Sequence, residues 1–262
     1  MSTATACATI TCFEHPLSEH IRLCLQLETL FKQFYHHLDS CHDDTLNALL
    51  TLLKIINATD RPDIKSKLTQ TLNQYALSLN QLKNFSQIDT YRLNMIIDQL
   101  DQSAQKVNSG SGKISEKFKQ NQLINQLRLM LNTPSGLCLS ASNPLKTWVS
   151  HPKEYKLRYL HHWSSQLKHL GVASELILGL IRQSKESKNH VADEGFFQKN
   201  LNPNLPCDML IVKVSAQDEV YPEISAGKHR LSIRFMSPNF YHEGYSSQTK
   251  NNIAFQLTCC QL

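Results

Sequence analysis

The stretch KHRLSIRFM, residues Lys228 to Met236, alternates apolar and polar side chains along its length. Because successive side chains of a β-strand point to opposite faces, this alternation predicts a strand with two chemically different faces. The apolar face would carry His229, Leu231, Ile233 and Phe235, and the other face would carry Lys228, Arg230, Ser232 and Arg234. Three cations on one face are costly to bury, so we expect that face to meet water or an anion.

Two interpretations of the cationic face remain open from this stretch alone. The face could be an ordinary solvated strand surface. It could also be a rigid, arginine-rich platform for an acidic peptide or a phosphate backbone, because guanidinium groups bind carboxylates and phosphates in a bidentate manner. Features elsewhere in the chain are needed to decide between these two interpretations.

Length and composition predict a folded protein with one large core or two modest ones. The chain has 262 residues, of which 41% are hydrophobic and 19% are charged, values typical of globular domains. Residues 1–60 hold three Lys/Arg and seven Asp/Glu, or about −4, whereas the remaining residues hold 24 and 15, or about +9. This basic remainder favours an acidic partner without identifying it.

Neither a membrane protein nor a secreted, disulfide-linked protein is indicated. No segment reaches the roughly 20 apolar residues of a membrane span, and the N-terminal residues lack the pattern of a signal peptide. The eight cysteines are scattered, and no C-x-x-C pair occurs among them. We therefore expect a cytoplasmic protein, without membrane insertion, in which most cysteines are free thiols.

The first two-thirds of the chain has helical periodicity. One apolar stripe recurs every three or four residues between Ser18 and Leu38, and another follows Pro62. The second stripe comprises Ile64, Leu68, Leu72, Tyr75, Leu79 and Leu82. Such stripes predict core within one chain, with a helical dimer interface as the alternative. Further helices are expected at residues 45–56, 88–107, 114–131, 152–170 (ended by Gly171) and 172–183.

After about residue 189 the pattern changes from helices to short strands separated by turns. The expected fold class is α+β, with a mainly α-helical domain packed against an antiparallel β-sheet domain. We predict that residues 17–132 and 152–189 form the helical domain and residues 190–262 the β-domain. Strands at residues 8–14 and 137–150 are expected to join the β-domain.

The sequence carries no recognisable catalytic or metal-binding motif. Gly110–Lys113 resembles the end of a phosphate-binding loop, but the first glycine and the hydroxyl residue of that motif are missing. The histidines and cysteines lack the spacing of metal ligands. We therefore expect no catalytic residue, no metal and no cofactor.

Several segments, in order along nearly the whole chain, resemble the ZapD family of bacterial cell division proteins, which bind FtsZ. They are Phe13–Glu19, Leu176–Ser184 with Gly195–Gln198, Tyr221–Ser225, Gly227–Met236 and Phe255–Cys260. The resemblance implies a helical domain that carries dimerisation, a β-domain, and no enzymatic activity. It also implies that the homodimer binds the C-terminal tail of FtsZ, crosslinks and bundles FtsZ filaments, and lies at the mid-cell division site.

The resemblance also implies which residues bind the FtsZ tail. The matching positions are Arg61, Arg230 and Arg234, and Arg22 matches a further arginine whose role is less defined. Lys228 is added because it shares the strand face of the last two arginines. No specific nucleic-acid partner is expected, although a nucleic-acid-binding module that uses the same basic face is the alternative function.

Overall fold

The chain forms two compact units in a computed structural model that describes residues 9–84, 89–109, 116–131, 133, 142–202, 207–227, 229–240 and 244–261. The helical unit is Leu23–Leu178, and the β-unit combines Met1–Arg22 with Gly179–Leu262. Helices and antiparallel sheets together confirm the α+β fold class.

The described helices follow one another along most of the chain. They are α1 (Glu19–Asp39), α2 (Thr45–Ala58), α3 (Ile64–Gln81), α4 (Thr90–Asn108), α5 (Glu116–Lys119), α6 (Gln122–Leu131), α7 (Asn143–Ser150), α8 (Lys153–Ser165) and α9 (Lys168–Arg182). The apolar stripe of α3 is buried as predicted, except that Leu82 lies past the helix end and is 37% exposed. The stripe of α1 is buried along its whole length.

The strand predicted at residues 137–150 is wrong where the structure describes it. Residues 143–150 form α7, and residues 137–141 lie outside the described residues. The Ser142 hydroxyl accepts a hydrogen bond from the Leu145 amide at 3.3 Å, which caps the helix N-terminus. Leu145 and Trp148 are buried three residues apart, which is a helical spacing that the strand prediction overlooked.

The helix break predicted at Gly171 is also misplaced. Helix α8 ends at Ser165, and α9 runs through Gly171 without interruption. A Cβ atom at Gly171 would lie 3.0 Å from Cδ2 of Phe31. The glycine therefore gives the Phe31 ring room against the helix and does not end the helix.

The described residues of the β-unit form two four-stranded antiparallel sheets. The strands are β1 (Ile10–Pro16), β2 (Lys188–Ala192), β3 (Phe196–Asn200), β4 (Met209–Ser215), β5 (Tyr221–Ala226), β6 (Arg230–Ser237), β7 (Ser247–Gln248) and β8 (Ile253–Cys260). One sheet has the order β1-β4-β8-β2, and the other has the order β3-β6-β5 with β7 also paired to β6.

Apolar side chains from both sheets form one core. The cluster comprises Ala192, Leu210, Val212, Val214, Leu231, Ile233, Phe235, Ile253, Phe255 and Leu257. Each buried Val, Leu, Ile or Phe side chain in this cluster contributes roughly 1.5–3 kcal/mol. The core therefore holds β6 firmly by its apolar side.

The N-terminal strand belongs to the same unit as the C-terminal strands. Strand β1 pairs with β4 in a register that runs from Ile10 opposite Ser215 to Pro16 opposite Met209. The Arg182 guanidinium donates two hydrogen bonds to the Glu14 carboxylate, at 2.6 and 2.8 Å. This bidentate pair joins the end of α9 to β1.

Candidate functional site

Strand β6 separates a buried face from a cationic one, as its alternation predicts. Leu231, Ile233 and Phe235 are fully buried, whereas Arg230 and Arg234 are exposed. The prediction is wrong for His229, which is exposed because it precedes the strand, whose first residue is Arg230. Lys228 lies outside the described residues.

The neighbouring strands place further side chains beside the two arginines. Arg234 is opposite Phe196 of β3 and Glu223 of β5, and Ser232 is opposite Gln198 and Ser225. We call this set of side chains the arginine face: Phe196, Gln198, Tyr221, Glu223, Ser225, Arg230, Ser232 and Arg234. The two arginines are four residues apart, so their Cα atoms are separated by about 13 Å at the rise of a β-strand.

The two arginines have different surroundings. The Arg230 guanidinium donates a hydrogen bond to the side-chain oxygen of Gln198, which orients it along the sheet. Arg234 is paired across the sheet with Phe196, which is 37% exposed, on one side and with Glu223 on the other. Guanidinium groups retain their charge at physiological pH, so the face presents two permanent cations beside an apolar ring.

Arg22 and Arg61 belong to other elements. Arg22 lies in the first turns of α1 and forms an ion pair with Glu19 at 3.0 Å. Arg61 belongs to the helical unit, just before α3, where its guanidinium lies 3.4 Å from the Asp63 carboxylate. The structure thus unites Arg230 and Arg234 on one face, whereas Arg22 is an exposed cation on α1 and Arg61 an exposed cation in the segment between α2 and α3.

The sequence did not predict Phe196, Gln198, Tyr221 or Glu223 as site residues. Their places on the arginine face follow from the pairing of β3 and β5 with β6. Pairing register depends on contacts between distant parts of the chain, and no local pattern around these residues signals it.

A Ser–His–Asp group in the β-unit does not have the geometry of a catalytic triad. Nε2 of His20 lies 3.3 Å from the Ser18 hydroxyl and 3.9 Å from a carboxylate oxygen of Asp208. A triad histidine uses one ring nitrogen for the nucleophile and the other for the acid, but here one nitrogen faces both. Burial raises the pKa of the Asp208 carboxyl.

The described ranges hold neither a metal-binding cluster nor a membrane-spanning helix. No three His, Cys, Asp or Glu side chains cluster there as a metal ion would require. Of the helices that the structure describes, none combines the length and hydropathy needed to cross a bilayer.

Comparison with known protein families shows to which class of proteins this chain belongs. A family model with the description "Cell division protein" matches residues 25–234, which is most of the chain. The class is therefore that of cell division proteins. Within it, the chain belongs to the ZapD family.

Full-length relatives support the same assignment. The cell division protein ZapD of Coxiella burnetii (strain RSA 331) is 36% identical over 256 residues, which cover 97% of this chain and 99% of the relative. The ZapD protein of Methylococcus capsulatus is 30% identical over 95% of this chain and 98% of its own length. The corresponding Yersinia pestis protein is 28% identical over 95% and 96%. A role in cell division follows from this membership.

Proposed function

We propose that this protein binds the C-terminal tail of FtsZ through the arginine face and, as a homodimer, crosslinks and bundles FtsZ filaments in the division ring. The observation that carries the proposal is the placement of Arg230 and Arg234, both exposed on a strand whose opposite side is fully buried. A strand held in this way presents its cations in fixed positions, which lowers the entropy lost on binding.

The chemistry of the arginine face suits a short peptide with both acidic and apolar residues. The guanidinium groups of Arg230 and Arg234 can pair with carboxylates, and bidentate pairs of this kind add directional specificity. The partly exposed rings of Phe196 and Tyr221 supply apolar contact area on the same face. We propose that the ion pairs orient the tail and that the apolar contacts provide much of the affinity.

Arg61, Arg22 and Lys228 are proposed as additional tail contacts. Arg22 and Arg61 are exposed cations, and the Glu19 and Asp63 carboxylates that pair with them are 50% and 37% exposed. Surface pairs of this type contribute little to stability, so an incoming carboxylate can replace them at small expense.

Bundling requires two tail sites in one particle. We propose that residues 17–132 and 152–189 carry the dimer interface and that the arginine face, in the β-domain, supplies the main tail contacts. Two linked weak sites bind a multivalent filament far more tightly than one, since the second contact forms at high effective concentration. The protein would act in the cytoplasm at mid-cell, without a catalytic step.

Co-sedimentation with polymerised FtsZ tests the proposal. The wild-type protein should pellet with FtsZ filaments and not with filaments that lack the C-terminal tail. The Arg230→Glu/Arg234→Glu variant should lose pelleting while keeping its circular dichroism spectrum. Lys213→Glu/Lys250→Glu is the matched control, because it changes the net charge equally at partly or fully exposed positions of the β-domain, outside both the arginine face and the residues proposed for the dimer interface.

Each result has a distinct meaning. Normal pelleting of a folded arginine variant would refute the site, and pelleting of tailless filaments would refute the tail as partner. Absence of pelleting at low salt would refute FtsZ binding, and filter binding to DNA and RNA would then test the basic face for nucleic acid.

A further inference from the structure

Strand β3 forms an open sheet edge beside the arginine face. It is the terminal strand of the sheet whose order is β3-β6-β5. None of its five residues, Phe196–Asn200, is buried, and over the described ranges no strand pairs with its outer side. An edge strand of this kind carries backbone amides and carbonyls that can pair with another chain.

Hydrogen bonds at the two ends of β3 show which of its backbone groups point outward. The Leu201 amide donates to the His229 carbonyl at 2.8 Å, and at the other end the Gly195 carbonyl accepts a bond from β6 at 2.7 Å. Bonding direction alternates from residue to residue along an antiparallel pair. The amides and carbonyls of Gln198 and Asn200 therefore point away from β6, toward the open edge.

The opposite edge of the same sheet is closed by a proline. The Gly227 amide donates to the Arg230 carbonyl at 2.9 Å, so the backbone nitrogens of Pro222 and Ala226 in β5 point outward by the same alternation. Proline has no N–H to offer at that position, which is a common protection of edge strands. Of the two edges, β3 is the one that can accept a further strand.

The charges beside β3 determine which kind of strand fits there. The Arg230 guanidinium donates to the side chain of Gln198, so it is directed toward β3 and the open edge. Arg234 lies on the same face, and Lys199 adds a cation within β3 itself. A second copy of this chain would bring like charges together at the edge, whereas a peptide that carries carboxylates would pair with them.

The geometry of a sheet lets an added strand reach these arginines. Neighbouring strands are about 4.8 Å apart, so a strand on the outer side of β3 would lie about 10 Å from β6. An arginine side chain from β6 and a carboxylate side chain from the added strand can meet across that gap. Only every second side chain of the added strand would face the arginines.

We propose that the FtsZ tail binds by adding a strand to β3, with its backbone paired to Gln198 and Asn200 and alternate acidic side chains over the arginine face. This inference rests on the proposed function and adds the mode of recognition to it. In strand addition, main-chain hydrogen bonds supply affinity and alternate side chains supply specificity. The bound segment must therefore be extended and carry acidic residues two or four positions apart.

Amide hydrogen exchange of the full-length protein, followed by mass spectrometry, tests the proposal. The probe is a synthetic peptide with the sequence of the FtsZ C-terminal tail, and fluorescence anisotropy gives its affinity and the saturating concentration. With the peptide bound, protein fragments that cover β3 should exchange more slowly. Fragments that cover β5 should not change.

Proline variants at the two edges provide a matched comparison. Gln198→Pro removes an outward amide from β3 and should weaken peptide binding by roughly 2–10-fold relative to Gln198→Ala, the effect of one lost hydrogen bond. Gln198→Ala is the reference because it changes the side chain and keeps the amide. Ala226→Pro removes an outward amide from β5 and should leave the affinity unchanged.

The outcomes distinguish this inference from the proposed function. Peptide binding without slower exchange in β3 would overturn strand addition and leave FtsZ binding intact. A wild-type protein that binds no tail peptide at low salt would overturn both. Slower exchange in β3 that grows with protein concentration in the absence of peptide would show pairing between two copies and overturn the peptide as occupant. The exchange data on the wild type decide the matter even if Gln198→Pro fails to fold.

Discussion

Replacing Asp43 with asparagine should destabilise the helical unit through a buried lysine. The Lys156 side chain is only 5% exposed, and its ammonium lies 2.5 Å from the Asp43 carboxylate, which is itself 44% exposed. The other described contacts of the ammonium are the Val149 carbonyl oxygen at 3.4 Å and the ring of Trp148, whose centre is 6.0 Å away. Asp43→Asn keeps an oxygen that can accept the hydrogen bonds from Thr45 but removes the charge.

The expected loss of stability follows from the burial of Lys156 and Asp43. Breaking a fully buried ion pair costs roughly 3–5 kcal/mol, because the remaining charge is left without compensation. Because the Asp43 side chain is partly exposed to water, we expect the loss of this pair to lower the free energy of unfolding by about 2 kcal/mol. A change of this size lowers the melting temperature by roughly 4–8 °C in a protein of this length.

Urea denaturation followed by circular dichroism measures the effect. Asp43→Asn should lower the free energy of unfolding at pH 7, and the double variant Asp43→Asn/Lys156→Met should recover most of the loss, because it removes the buried charge. Asp63→Asn is a matched control, since Asp63 pairs with Lys67 at 2.6 Å on the exposed surface and should give no measurable change.

The pH dependence gives a second test of the same pair. Hydrogen bonds from Lys156 and then from Thr45 lower the pKa of Asp43 from its ordinary value of 3.8. A group with a depressed folded-state pKa stabilises the fold above its unfolded pKa, and this stability is lost as the pH falls through the folded pKa. The difference between wild type and Asp43→Asn should therefore shrink below pH 3.8. Equal stability at pH 7, or a double variant no more stable than Asp43→Asn, would refute the reasoning.

Three further predictions concern packing, pH and salt. Gly171→Ala should lower the free energy of unfolding by roughly 1–3 kcal/mol, because the added methyl group would meet the Phe31 ring at 3.0 Å. Gly179→Ala is its control, since that position has open space, and should be neutral or stabilising by urea denaturation. Burial, followed by nearby lysines, lowers the pKa of His190 from 6.5, so stability should fall as the pH drops from 7 to 5.5. In the His190→Leu variant, the urea midpoint should fall less between pH 7 and pH 5.5 than in the wild type. An equal fall in both proteins would contradict this prediction. FtsZ bundling, measured by light scattering, should be weaker at physiological salt than at low salt, because charges are screened over about 8 Å at physiological ionic strength. Bundling that does not depend on salt would argue against ion pairs in the tail site.

The helical stripes and the alternation of β6 could be predicted because their causes are local. Leu231, Ile233 and Phe235 lie two residues apart, and that spacing alone puts them on one side of any strand. The error at residues 143–150 has a local cause as well, because the Ser142 cap and the spacing of Leu145 and Trp148 are helical signals. The first residue of β6 was harder to predict from the sequence, because the end of a strand depends on the strands that pair with it. His229 therefore lies outside the strand.

By itself, the sequence determined the α+β class, the two-faced strand with Arg230 and Arg234, and a resemblance that family membership confirmed. Only the tertiary structure decided which side chains join those arginines, because Phe196 and Glu223 reach them through strand pairing. It alone also brought together Lys156 with Asp43, 113 residues apart. The physical reason is the same throughout. Periodicity depends on backbone geometry within a few residues, whereas these contacts form only when a shared core fixes distant segments side by side.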